Sequence, residues 1–209
     1  SGAIGVGMAQ LGLAKKPSEI VQRQACAAMG QHILMMQYSN YFEKHSIKVA
    51  QILLSYDAFT NKRKSENLLN AIHELFKHNC IPIINENDVT SIDEIGENFG
   101  DNDMLSAMVA AKLDAQQLLI LTNVDGLFDK NPNQNAQAKL ITKVGYDGKN
   151  SPWILEGSSA LGVGGMDAKV KAAQYATAQG CKVCIANGRK RGILKEALAG
   201  NTGTTFSPK

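Results

Sequence analysis

Little in this sequence ties it to a membrane, a nucleic acid or a disulfide framework. No apolar run reaches the roughly 20 residues that a membrane-spanning helix needs, and the opening residues do not read as a signal peptide. The formal net charge is only +3 and no arginine-rich stripe accompanies it, so nucleic acid is not an expected partner. Cysteines are few: Cys26, Cys80, Cys181 and Cys184. The first two sit singly in apolar segments, as small buried hydrophobes do. Cys181-Lys-Val-Cys184 has the C-x-x-C form, but no second pair and no histidine at ligand spacing accompanies it. It also falls on a predicted strand, where positions three apart face opposite sides. Nothing requires an oxidising compartment, and a cytoplasmic location is the expectation. There is no Walker motif: Gly148-Lys149 is followed by Asn150, not serine or threonine. Without internal repeat, low-complexity stretch or linker, residues 1–209 read as one domain.

What is present is an alternation of helical and strand patterns. Residues 20–45 carry the longest helical pattern, entered through Pro17-Ser18-Glu19. Ala25, Ala28, Met29, Ile33 and Met36 recur at spacings of three and four and predict its core face. Residues 47–55 read as a strand. Residues 65–78 read as an amphipathic helix with Leu68, Leu69, Ile72, Leu75 and Phe76 inward. Cys80-Ile81-Pro82-Ile83-Ile84 reads as a short buried strand. A polar loop is predicted over 85–101, a helix over 104–113, and a strand covered on both faces at Leu118-Leu119-Ile120-Leu121. Residues 124–159 are loop-rich and contain the only tryptophan, Trp153. A helix over 166–178 follows, with Met166, Val170 and Ala173 on one face, then a strand over 182–186 and a short helix over 193–198. Gly203-Thr204-Thr205-Phe206 predicts an edge strand. Such alternation implies parallel crossover units, with ligands at the carboxyl ends of the strands.

Polar loops leave those ends after Ile84 and after Leu121, and a glycine-rich motif opens a later helix. Gly162-Val163-Gly164-Gly165-Met166-Asp167-Ala168-Lys169 places glycines at a helix entry, where backbone N–H groups can close around an anion. Lys169 falls in the helix's first turns, where a cation opposes the dipole; a bound polyphosphate would remove the conflict. A flexible turn with a solvated lysine is the other reading. Asn85-Glu86-Asn87-Asp88 follows a strand end and can hydrogen-bond an amino acid's ammonium and carboxylate, or simply form a turn. In the same loop Gly100-Asp101-Asn102-Asp103 suits either a site or a helix cap. Thr122-Asn123-Val124-Asp125 leaves the next strand, as a plain βα turn or as a nucleotide contact. The short basic runs Lys62-Arg63-Lys64 and Arg189-Lys190-Arg191 read as solvated loops or as an anion-binding rim.

Together these motifs resemble the amino-acid kinase family over nearly the whole chain. Within it, Asn-Glu-Asn-Asp at 85–88 with Gly-Asp-Asn-Asp-x-Leu-Ser-Ala at 100–107 resembles the members that phosphorylate the side-chain carboxylate of glutamate. Gly164-Gly165-Met166 with Lys169 resembles the family-wide nucleotide motif, and Gln51-Ile52-Leu53-Leu54 and Asn67 fit the pattern. The resemblance implies an α/β fold, a three-layer αβα sandwich with an open, mainly parallel sheet. It implies ATP with Mg2+ over Thr122, Asn123, Val163, Gly164, Gly165, Met166, Asp167, Ala168 and Lys169. L-glutamate would be held by Ser1, Asp88 and Asn102. Lys169 would neutralise charge on the transferring phosphoryl group, and Asp103 would position the catalytic lysines. Proline as feedback inhibitor, acting through the loop between Asp88 and Gly100, and a homo-oligomer are also implied.

The sequence departs from that pattern in four ways. It lacks the family's usual N-terminal strand segment, with a glycine-serine phosphate loop and a second catalytic lysine, so an upstream segment is expected. Val163 and Ala168 stand where threonines are usual. Asn123 replaces an aspartate. Residues 1–209 do not include the RNA-binding-like domain that closes many members. These departures leave room for a catalytically silent glutamate- or proline-sensing paralogue. A family member acting on acetylglutamate, aspartate, carbamate or uridylate is the other alternative.

Overall fold

A computed structural model describes residues 2–90, 102–132, 134–145 and 165–208. The chain forms two compact units, Ser1–Asn102 and Asp103–Lys209.

The first unit begins with helices α1 (Ala3–Gln10) and α2 (Ile20–Glu43). They pack through small residues: a Cβ on Gly7 would lie 1.8 Å from the Cys26 carbonyl oxygen, and one on Gly30 would lie 1.9 Å from that of Ala3. This contact turns α2 away from its expected face. Cys26, Ala27 and Gly30 are buried, whereas Met29 and Met36 are exposed. The methionine-rich stripe is therefore not core, because backbone proximity to α1 selects small side chains over large ones.

Strand β1 (Lys48–Leu54) pairs parallel with β2 (Cys80–Glu86), in register from Lys48↔Cys80 to Leu54↔Glu86. The crossover is α3 (Asp57–Thr60) and α4 (Lys62–Lys77). The Asn61 side chain caps α4 by accepting from the Lys64 amide at 3.1 Å, which starts the helix ahead of the expected Ser65. Lys62-Arg63-Lys64 is therefore helical, not a loop, with Lys62 near Glu66 and Lys64 paired to Asp57. Ile72 is buried as expected, but Phe76 is 48% exposed. Strand β2 also runs two residues past Ile84, so Asn85 and Glu86 are ladder residues and not loop.

The second unit holds α5 (Asn102–Lys112, whose first residue belongs to the first unit), β3 (Gln117–Thr122), β4 (Lys143–Gly145), α6 (Gly165–Ala178), β5 (Lys182–Asn187), α7 (Ile193–Ala199) and β6 (Thr204–Ser207). Its sheet has the order β3-β5-β6-β4. The β3/β5 and β4/β6 pairs are parallel and β5/β6 is antiparallel. Strand β6 is thus interior, not an edge, because the short strand β4 arises within the loop-rich stretch and takes the outer position.

Alternation along β5 divides the unit into layers. Val183 and Ile185 join Val170, Ala173 and Ala176 of α6 in one buried cluster. Cys184 and Ala186 join Ile193 and Ala197 of α7 in another. Helices thus cover both faces of the sheet. Cys181 and Cys184 fall in different clusters, as a strand spacing of three requires, and both are free thiols. Leu118 and Leu119 likewise pack into opposite clusters, but Leu121 at the strand end is 45% exposed.

Candidate functional site

In the first unit the site is built at the carboxyl end of β2. A cavity of about 220 Å³ opens there, with Gln31, Gln51, Glu86, Asn87 and Asp88 among its walls. The Asn87 amide donates to the Leu54 carbonyl at 2.8 Å, which extends the parallel ladder past the strand's end. Asn87 O then accepts from the Thr90 amide at 3.0 Å, which makes the turn that carries Asp88.

Beneath the cavity wall, Asn85 is 4% exposed. Its Nδ2 donates to Gln31 Oε1 at 2.9 Å, and its Oδ1 accepts from Asn102 Nδ2 at 3.1 Å. Three amides from α2, β2 and the start of α5 thus form one directional chain. Asn102 Oδ1 is closed to solvent and has no partner among the described residues. A buried acceptor left unpaired costs about 1–3 kcal/mol, which marks the position as one kept for a donor.

The second unit carries a separate set of groups. Lys169, in α6, donates from Nζ to Asp103 Oδ2 of α5 at 2.7 Å, and both side chains are 17% exposed. The conflict between the lysine and its helix dipole is offset here by the Asp103 carboxylate. Gly165, Met166, Asp167 and Ala168 form the opening turn of α6. Thr122 ends β3, with its Oγ1 3.4 Å from Asn123 Oδ1.

Beside them lies a group that the sequence reading did not assemble. Asp125 Oδ1 accepts from Asn187 Nδ2 at 2.9 Å and pairs with Lys190 Nζ at 2.8 Å. The Gly188 amide donates to the Thr122 carbonyl at 2.8 Å. The turns after β3 and β5 are therefore locked together. The hydrogen bond from Lys190, and then that from Asn187, hold the Asp125 carboxyl below its usual range. Lys190 belongs to the predicted basic run, and this ion pair accounts for it without an anion. No spacing in the sequence could have found Gln31 or Asn187, whose partners Asn85 and Asp125 lie more than fifty positions away.

The structure thus pairs Asp103 with Lys169 and Asn102 with Asn85, and sets Asp88 on the cavity wall. Ser1, Val163 and Gly164, and with them Trp153, lie outside the described residues. Among the described residues no group of three or more His, Cys, Asp or Glu side chains could hold a metal ion. No described helix is long and apolar enough to cross a membrane.

Several known proteins are similar to this chain. A glutamate 5-kinase of Methanosarcina barkeri is 50% identical over 99% of this chain and 54% of its own length. One of Ligilactobacillus salivarius is 43% identical over 100% of this chain and 80% of its own. The chain spans about half the length of the Methanosarcina relatives that it matches. Among solved structures, carbamate kinase from Giardia lamblia bound to AMP-PNP is 19% identical with a TM-score of 0.62, over 100% of this chain and 79% of that one. The isopentenyl phosphate kinase product complex of T. acidophilum is 13% identical with a TM-score of 0.63, over 96% and 78%. Those two likenesses carry the fold alone. The model of the family described as "Amino acid kinase family" matches residues 1–187, and the chain belongs to that family.

Proposed function

We propose that this chain carries out the glutamate 5-kinase reaction, moving the γ-phosphoryl group of ATP onto the side-chain carboxylate of L-glutamate. The product would be γ-glutamyl phosphate, the first intermediate of proline synthesis. The observation that carries this reading is the largely buried Lys169–Asp103 pair between α6 and α5. A lysine so far removed from water is a poor stabilising device but a useful one for phosphoryl transfer. Relatives that bear the name glutamate 5-kinase match the whole chain, and they favour glutamate over the alternative substrates.

The chemistry asks little of the protein beyond alignment and charge. A carboxylate is already a nucleophile at neutral pH and needs no general base. Lys169 would offset charge on the transferring oxygens, and Asp103 would fix where its ammonium sits. Asp88 and Asn102 would hold glutamate, together with Ser1. Thr122, Asn123 and the residues from Val163 to Lys169 would hold the nucleotide. Magnesium, when bound, would screen the phosphates, and it fits this donor set only as an ion carried in by the nucleotide. Proline inhibition, a homo-oligomeric state and a cytoplasmic location follow from the same reading.

ATP-dependent formation of γ-glutamyl hydroxamate, with hydroxylamine as trap, tests the reaction on the full-length protein. Lys169→Ala should lower kcat by about a thousandfold and leave the calorimetric Kd for glutamate within about twofold. Glutamate affinity that falls as steeply as the rate would sink the assigned role of Lys169. A wild-type protein that binds glutamate without turnover would favour the silent sensor.

A further inference from the structure

The amide chain in the first unit fixes more than its own geometry. Gln31 Oε1 is committed to Asn85 Nδ2 at 2.9 Å, and Asn85 Oδ1 to Asn102 Nδ2 at 3.1 Å. An amide whose oxygen accepts along the chain turns its N–H donors to the other side. Asn85 is buried and bonded on both sides, so Gln31 alone cannot reverse without setting two N–H groups against each other. Gln31 also lines the cavity of about 220 Å³, and it has no other hydrogen-bond partner among the described residues. Its Nε2 is therefore an uncommitted donor on a residue of the cavity wall.

We propose that Gln31 is a substrate-binding residue whose Nε2 donates to the α-carboxylate of the amino-acid substrate, with its polarity set by Asn85 and Asn102. The inference rests on the reading of this cavity as the glutamate site. A donor on the reacting γ-carboxylate would withdraw electron density from the nucleophile, so the fixed donor serves the carboxylate that does not react. The Glu86 and Asp88 side chains on the same walls complete a surface of mixed polarity that suits a zwitterion. The device selects for an acceptor, since a carboxamide presented there would set N–H against N–H.

Gln31→Glu tests this with almost no change of shape. The new carboxylate still accepts from Asn85 Nδ2, but it presents an acceptor to the cavity. Calorimetric Kd values would be measured for L-glutamate and for L-isoglutamine, which keeps the γ-carboxylate and carries an amide in place of the α-carboxylate. Wild-type protein should prefer glutamate by about 10- to 100-fold, the range for a hydrogen bond to a charged group. The variant should lose glutamate affinity by a similar factor and gain on isoglutamine, so that the ratio narrows or inverts. A purely structural role would weaken both ligands together, and an unchanged ratio in a folded variant overturns the proposal. Equal wild-type affinity for the two ligands overturns it without any variant. No glutamate binding by wild-type protein would instead remove the glutamate-site reading on which the inference stands.

Discussion

At the scale of single residues, Asp125 allows an electrostatic test. Its carboxyl is held below the usual range, first by the Lys190 hydrogen bond and then by Asn187. A carboxyl depressed on folding contributes stability above its unfolded value, near pH 4, and loses it as pH falls through the folded value. Both members of the ion pair are substantially exposed, at 51% for Lys190 and 43% for Asp125, so the contribution is under about 1 kcal/mol. Asp125→Asn should lower the urea midpoint slightly at pH 7, and the gap from wild type should close below about pH 4. A gap that persists at pH 3 would mean that the loss came from packing, not ionisation. This cluster also shows where the sequence stops being legible. Lys169 and Asp103 could be singled out because each sits at a helix entry with flanking glycine or asparagine. Asp125, Asn187 and Lys190 meet only because β3 and β5 are neighbours in register, and no local pattern encodes that. Gln31 is less visible still, since one glutamine in a long helix has no signature until Asn85 is placed beside it.

At the scale of elements, helix–helix packing was the weakest part of the sequence reading, and it gives a sharp test. Gly30 faces the α1 backbone so closely that a methyl group would collide with Ala3 O and Gly7 N. Helix propensity alone would favour alanine there by about 1 kcal/mol, but forcing the helices apart costs about 1–3 kcal/mol or more. Gly30→Ala should therefore destabilise. Gly5→Ala, in the same helix pair, meets nothing within 4 Å and should stabilise by about 0.5–1 kcal/mol. Urea unfolding of both variants would settle the matter, and Gly30→Ala more stable than wild type would refute this account of the packing. Periodicity marks the buried face where a helix lies on a sheet, as at Ile72 of α4 and Val170 and Ala173 of α6, although Phe76 at the end of α4 is exposed. It failed for α2 because large apolar residues mark a core face only when the neighbour leaves room for them. It failed for β4, three residues long, because so short a strand has no period. β4 takes the edge position that the strand pattern assigns to β6.

At the scale of the whole chain, the two units differ in what they bury. Among the described residues of the first, Leu54 and Ile72 are the large buried apolar side chains, and the others are alanine and cysteine. The second buries Leu105, Ile120, Leu127, Val144, Val170, Val183, Ile185, Ile193 and Phe206. At about 25 cal/mol per Å² of apolar surface, the second core is the stronger, and the first unit should open at lower denaturant. The free thiols report on this directly, since Cys26 and Cys80 lie in the first unit and Cys181 and Cys184 in the second, all four buried. Burial also raises the pKa values of Cys181 and Cys184, so neither should react while its unit is folded. Pulsed alkylation along a urea series, read by peptide mass, should label Cys26 and Cys80 first. Saturating glutamate should then move the first transition to higher urea, because the cavity that would bind it lies in that unit. The second transition should stay where it was. Labelling of all four cysteines at a single midpoint would show instead that the chain unfolds as one cooperative body, and the difference in core composition would then not govern the order of opening.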